Sequence, residues 1–327
     1  MLQRTCQRIF LVGRRFHVSS SASQELKTEK MAEPKEIKIP VPFGHIAGKI
    51  WNEGGIPLLG LHGWMDNAGT WDAVAPLLPK SISLVAIDFP GHGHSSHSPM
   101  GIGSVFMNLL VDIERVVQHF EWKEVNLLGH SMGGAAAMLY SSTFPEKVKK
   151  LVVVDLIKPL ATPADKQPQR TARSIKELLE VETKFERDPQ CYEFHSIVDK
   201  LVKGYDSSIT EEAAKVLLKR GSVKYPNGLY SFSHDPRLKI PNLLGMTFDQ
   251  QKEFANRLNC ELMIIKASSG PFYESKEDYD EILKIYEKKA KRFVYKMVEG
   301  THHVHMNNPD IIAPLIGQFI EDSACDT

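Results

Sequence analysis

Neither sign of charge is in excess in this sequence: 40 Lys and Arg face 40 Asp and Glu. No global field therefore argues for nucleic acid or an anionic membrane as a partner. Long apolar runs are missing too, so no integral membrane segment is expected. Cysteine is scarce. Cys6, Cys191, Cys260 and Cys325 stand far apart, with no C-x-x-C pair and no disulfide-like spacing. That pattern implies neither a metal site nor a staple, and it suits a reducing compartment. Internal repeats are absent as well.

Acidic residues are missing from the first stretch of chain, where the first is Glu25. Arg4, Arg8, Arg14 and Arg15 precede it. Arg4, Arg8 and Arg15 fall on one side of a helix turning about 100° per residue, and Leu2, Cys6, Ile9 and Phe16 on the other. Arg-rich, Ser-rich, acid-poor and amphipathic is the composition of a mitochondrial transit peptide. Arg14 to Ser21 reads as its processing region, and Ile9–Val12 is too short an apolar stretch for a secretory signal. Residues 1–30 are therefore expected to be a disordered transit peptide and the location mitochondrial. Translation from Met31 would instead leave a cytoplasmic or peroxisomal protein.

What is present is an ordinary globular composition, 42% apolar and 24% charged over 327 residues, enough for one large domain or two modest ones. Glu36–Pro42 and His45–Trp51 read as an antiparallel hairpin. Ile56–Leu61, Ser81–Ile87, Val125–Leu128, Lys150–Asp155 and Glu261–Lys266 are near-continuous apolar runs, typical of strands buried on both faces. Arg292–Val298 is a further strand. Helices are expected at Thr70–Leu78, Ser104–Phe120, Met132 to about Phe144, Lys276–Lys289 and Asp310–Glu321. Between 157 and 248 the strand runs stop. Pro159, Pro163 and Pro168 open this segment, and amphipathic stretches follow at Ala172–Glu186, Phe194–Lys203 and Thr210–Arg220. The expected class is α/β: a mostly parallel sheet with helices on both faces, built from 31–156 and 249–327. A helical cap, 157–248, is inserted after the sixth strand.

The strand at Val125 runs into Gly129-His130-Ser131-Met132-Gly133 and then into an Ala-rich helix. Strand, glycine-flanked turn and helix make a G-x-S-x-G match into a nucleophile elbow. Ser131 needs a strained turn to expose its hydroxyl, and Gly129 and Gly133 leave room for close backbone passage. The helix starting at Met132 aims N–H groups and its positive dipole end at an oxyanion formed there. The alternative is a Gly-Ser turn in a nucleotide-binding protein. Every other polar cluster also follows a strand: His62–Trp64, Asp88–Gly93, Asp155 and His302. Ligands of parallel sheets bind at those carboxyl ends.

These marks together resemble the α/β-hydrolase superfamily: His62-Gly63, Asp88-x-x-Gly91-x-Gly93, GHSMGG, and the terminal G-x-x-H-x-V-H. LHGWMDNAGTWD, AIDFPGHGHSSH and GTHHVHM resemble more narrowly its kraken-like, serine hydrolase-like branch, over roughly Ile37 to Ile320. The resemblance implies Ser131 as nucleophile and His302 as base. His303 is an outside alternative, and His305 matches a histidine that is more often structural. The acid departs from the pattern, since no aspartate follows Glu261–Lys266 at the usual offset. Asp155 is the first candidate, then Glu274, then Asp278. The resemblance places the oxyanion hole on the N–H groups of Trp64 and Met132, with Trp64 and His130 against the substrate. His62 and Asp88 are expected to brace loops.

The function this implies is a serine hydrolase cleaving a carboxylic ester or thioester through an acyl-enzyme, without cofactor or metal. A small-molecule acyl ester or thioester is the expected partner, and the oligomeric state is left open. Two alternatives remain: an inactive binding protein on a hydrolase scaffold, motivated by the displaced acid, and a carbon–carbon bond hydrolase.

Overall fold

Six of the expected strands join a hairpin in one eight-stranded sheet. The computed structural model describes residues 33–322 except 102, 104, 186 and 187; the expected transit peptide lies outside the described residues. The strands are β1 (Lys35–Val41), β2 (Gly44–Trp51), β3 (Ile56–Leu61), β4 (Ile82–Ile87), β5 (Val125–His130) and β6 (Val148–Val154). A separate pair follows, β7 (Ser222–Lys224) and β8 (Tyr230–Phe232), then β9 (Glu261–Ala267) and β10 (Arg292–Val298). The sheet order is β1-β2-β4-β3-β5-β6-β9-β10. β1, β2 and β4 pair antiparallel, and every other neighbour pair is parallel.

Successive side chains of a strand point to opposite faces, so each apolar run feeds two cores. Leu151 and Val153 of β6 enter one, Val152 and Val154 the other; Leu262 and Ile264 of β9 divide from Met263 and Ile265 in the same way. The helices are α1 (Asn108–His119), α2 (Met132–Thr143), α3 (Gln167–Glu182), α4 (Phe194–Gly204) and α5 (Glu211–Gly221). Beyond them lie α6 (Phe248–Ala255), α7 (Lys276–Lys289), α8 (Val304–Asn307) and α9 (Pro309–Glu321). The first core takes Ile113 and Val116 of α1, Ala136 and Tyr140 of α2, and Ile282 and Tyr286 of α7. The second takes Ile312 and Ile316 of α9 and Trp71. Helices thus cover both faces, which is why the central strands carry no polar alternation.

Two local expectations change. The helix expected at Thr70–Leu78 is a pair of 3-10 turns, Ala68–Trp71 and Ala75–Leu77. Pro76 has no N–H for an i→i−4 bond, and its ring breaks the run. The segment between β6 and α6 holds α3, α4 and α5, but also the β7–β8 hairpin, whose Gly228 takes φ +84°. Pro226-Asn227-Gly228 is the turn signal there. α4 and α5 bury Ile197, Val198, Ala214, Leu217 and Leu218 together with Ile209 and with Met306 of α8, so the inserted helices form a small core that also takes a residue from the segment after β10.

That insertion is clasped to the sheet by a buried arginine. Arg220, in the last turn of α5, is 2% exposed. It donates from Nη2 to Asp88 at 2.7 Å and from Nη1 to Glu36 at 2.6 Å. Asp88 also accepts from the N–H groups of Ala68 and His94 at 2.7 and 2.9 Å. A Cβ on Gly93, at φ +51°, would lie 2.3 Å from the Asp88 carboxyl carbon. The D-x-x-G-x-G spacing therefore makes room for this ion pair.

Candidate active site

The β5-to-α2 turn is the tightest backbone passage in the site. Ser131 sits at φ +49°, ψ −115°, a sparsely populated region that costs of order 1–3 kcal/mol for a residue with a side chain. Its N–H donates to Val154 O at 3.1 Å, holding the turn against β6. A Cβ on Gly129 would meet the Gly133 carbonyl group at 2.6 Å, and one on Gly133 would meet Leu61 O at 2.3 Å. The two glycines let the first turn of α2 press against both β5 and the end of β3. Met132 N–H, first in α2, lies among the donors with no intrahelical acceptor.

Three of the expected residues meet here. His302 Nε2 is 3.0 Å from Ser131 Oγ, and His302 Nδ1 is 2.6 Å from Asp155 Oδ2. A carboxylate only accepts, so Nδ1–H donates to it and Nε2 is left to accept from the serine hydroxyl. His302 arrives on the loop between β10 and α8, and Asp155 follows β6. Asp155 also takes a left-handed backbone, φ +51°, and is 1% exposed. Its Oδ1 accepts from Lys266 Nζ at 2.5 Å and Ala267 N–H at 2.8 Å. Burial raises the Asp155 carboxyl, but the hydrogen bonds from His302 and Lys266 outweigh it and leave it below its ordinary value. Gly270 closes the pocket: a Cβ there would be 2.2 Å from Asp155 Oδ2.

Sequence reasoning missed Lys266 and Gly270. The signal for the first is a lysine ending a fully buried apolar strand, where it needs an anion. The second carries no signal, because its φ is ordinary and only the neighbouring strand crowds it.

Glu274 is not brought to His302. Its carboxylate accepts from Ala161 N–H at 2.5 Å and pairs with the buried Lys158. Asp278 lies in the first turn of α7, its N–H capped by Ser275 Oγ. His303 turns away from Ser131, with Nδ1 2.8 Å from Ser208 Oγ. His62 bridges two loops, its Nδ1 bonded to Gly63 O at 2.7 Å and its Nε2 accepting from Phe89 N–H at 2.9 Å. Trp64 is exposed, and its indole N–H donates to Leu238 O of the inserted segment at 2.8 Å. It lines a cavity of about 200 Å³ with Met65, Leu201, Tyr205, Leu217 and Phe232.

His130 differs from the expectation of a substrate contact. It is 1% exposed and lies beneath the site rather than in that cavity. Both ring nitrogens are engaged inside the protein, Nε2 with His302 O at 3.0 Å and Nδ1 with Asp66 Oδ2 at 3.3 Å. Its ring packs on His302, His303 and His305. Burial pushes His130 down to about 4, against the hydrogen bond to Asp66. Among the described residues, Asp66, His130 and His305 are the group that could hold a metal ion.

Known proteins resemble this chain in sequence and fold. The sequence pattern of the alpha/beta hydrolase fold family matches residues 56–181. A protein called "Probable serine hydrolase" in Drosophila melanogaster is 37% identical over 294 residues, 88% of each chain. "Serine hydrolase-like protein 2" of Homo sapiens is 33% identical over 299 residues, 88% of this chain and 94% of its own. The crystal structure of a hypothetical protein from Pseudomonas aeruginosa superposes with a TM-score of 0.80 at 28% identity, covering 88% of this chain and 99% of that one.

Proposed function

The chain belongs to the alpha/beta hydrolase fold family and its serine hydrolase-like branch, and on that premise we propose that it cleaves carboxylic esters or thioesters through an acyl-enzyme on Ser131. The observation carrying this reading is the unbroken chain Ser131 Oγ, His302, Asp155 at 3.0 and 2.6 Å. A serine hydroxyl is a weak nucleophile until a base stands within hydrogen-bond reach.

In the first half-reaction Ser131 Oγ attacks the substrate carbonyl carbon while His302 Nε2 takes the hydroxyl proton. The imidazolium so formed is held by Asp155, which stays ionised. The oxyanion accepts from the N–H groups of Met132 and Trp64. Collapse breaks the bond to the leaving oxygen or sulfur, which takes the proton from His302. Water then attacks the acyl-enzyme, giving its proton to the same nitrogen, and Ser131 leaves with that proton as the acid departs. The inserted helices serve as a cap, and the cavity between Trp64, Leu217 and Phe232 receives part of the substrate.

A fluorophosphonate probe tests the nucleophile without knowledge of the substrate. Wild-type protein should be labelled, and Ser131→Ala should lose labelling and at least about 10³-fold of ester or thioester turnover. An unlabelled wild type, or an alanine variant of full activity, would overturn the proposal. A panel of acyl esters and thioesters of increasing chain length then separates the substrate classes.

A further inference from the structure

Beneath the relay, buried side chains converge with unused lone pairs. Asp66, His130 and His305 are each no more than 1% exposed, and one ligand-type atom of each lies within 4.8 Å of the other two. None of them performs a step of the hydrolysis above.

Hydrogen bonding fixes where the ring protons sit. The His302 carbonyl only accepts, so His130 presents Nε2–H to it at 3.0 Å. His130 Nδ1 lies 3.3 Å from Asp66 Oδ2, a contact that needs a cation on the line between them, a proton or a metal ion. Thr70 turns its hydroxyl proton toward Asp66 Oδ2 at 3.4 Å, so it accepts from His305 Nε2–H at 2.6 Å. His305 Nδ1 becomes a bare lone pair, buried with no partner. His303 Nε2, also buried and without a hydrogen bond, is 3.5 Å from Asp66 Oδ1. A lone pair set against a carboxylate costs free energy unless a cation lies between them.

Two cations qualify, a proton and a metal ion. Burial opposes the proton, because a charged imidazole at His130 or His305 would have no water around it. Coordination, in contrast, requires neutral imidazoles. It also favours rings whose second nitrogen donates outward to a carbonyl or hydroxyl, which is the arrangement of both histidines. The 3.3 Å gap between His130 Nδ1 and Asp66 Oδ2 matches the edge of a tetrahedron with bonds of about 2.0–2.1 Å.

We propose that Asp66, His130 and His305 bind a structural divalent transition-metal ion, with water as the fourth ligand. Nitrogen-rich tetrahedral ligation with one carboxylate suits zinc. The three ligand atoms lie within 4.8 Å of one another, so the widest gap closes by up to roughly 1.5 Å to reach such a tetrahedron. The ion would join three parts of the active site: the loop after β3 with Trp64, the residue before Ser131, and the segment carrying His302. It touches no substrate and acts by positioning.

The test uses the full chain purified without a polyhistidine tag. Elemental analysis should find about one equivalent of transition metal. Protein stripped with a chelator should melt lower and recover when zinc is added. Cobalt(II) alone should give a tetrahedral visible band that saturates at one equivalent, even in protein that purifies empty. Asp66→Asn and His305→Gln should lose the band, and His302→Gln should keep it. Because either core variant can fail to fold, stripped wild type is the primary sample. Stripped wild type that shows neither the band nor a change in melting with added zinc overturns the site, as does a band that depends on His302. These readouts do not use turnover, so they stand or fall separately from the hydrolase reading.

Discussion

Asp155 spends both of its oxygens on fixed partners, and that makes its replacement specific in effect. Lys266 Nζ and Ala267 N–H demand an acceptor at Oδ1. In Asp155→Asn the amide oxygen stays with those donors and the NH₂ turns to His302. His302 Nδ1 must then accept, so its proton moves to Nε2, where it faces Ser131 and blocks base action. Fluorophosphonate labelling should slow by about 10³–10⁴-fold while circular dichroism confirms a folded chain. A rate within tenfold of wild type would remove Asp155 from the relay. At this scale the sequence named Ser131, His302 and Asp155, because each ends a strand or turn with its own pattern. Lys266 and Asp66 were not legible in these roles. Their partners lie 111 and 64 residues away, and only sheet order brings them together.

Elements were legible where a local rule applies. A run such as Leu151–Val154 reads as a doubly covered strand, and α7 begins where Ser275 caps it. The 3-10 turns at Ala68–Leu77 escaped because helical periodicity is shared by α- and 3-10 segments over so short a span, and only Pro76 separates the readings. The join between insertion and sheet was invisible for another reason: an arginine in the last turn of an amphipathic helix reads as a solvated end. Here Arg220 carries two carboxylates. Arg220→Met should leave Asp88 buried and unpaired, destabilising the fold by about 3–5 kcal/mol in urea unfolding. Asp88→Asn in the same chain should recover part of that loss. A single variant within about 0.5 kcal/mol of wild type would make the clasp irrelevant to stability.

For the whole molecule, histidine burial sets the response to acid. Burial holds His62, His92, His130 and His305 below the ordinary imidazole range, against partial compensation by nearby carboxylates. The unfolded chain binds more protons than the folded one below the unfolded value of about 6.5, so stability rises with pH there. It is lost as pH falls from about 6.5 toward the folded values. His130 alone, with a folded value of about 4, contributes roughly 3 kcal/mol across that window. Asp112 works in the other direction: burial raises it to about 6 against its Arg115 partner. Its contribution is present at low pH and is lost as pH rises through about 6. Four histidines outweigh one aspartate, so the melting temperature should fall between pH 7 and pH 5. A flat profile over that interval would contradict the buried neutral state of these rings.

The hydrogen bond from Ser131 to His302 spans 171 residues, and that from His302 to Asp155 spans 147. On the ribosome, β5 and its serine emerge long before β9 and β10 can dock and carry the imidazole into place. A nascent chain, or any fragment that stops before His302, presents an elbow with no base beside it. Such molecules are chemically silent, and no prosegment is required to keep them so. On the proposed mechanism, an activity-based label on this protein counts finished, folded copies rather than polypeptide mass. The ratio of labelled to total protein in a cell would then read how much of the synthesised pool has matured.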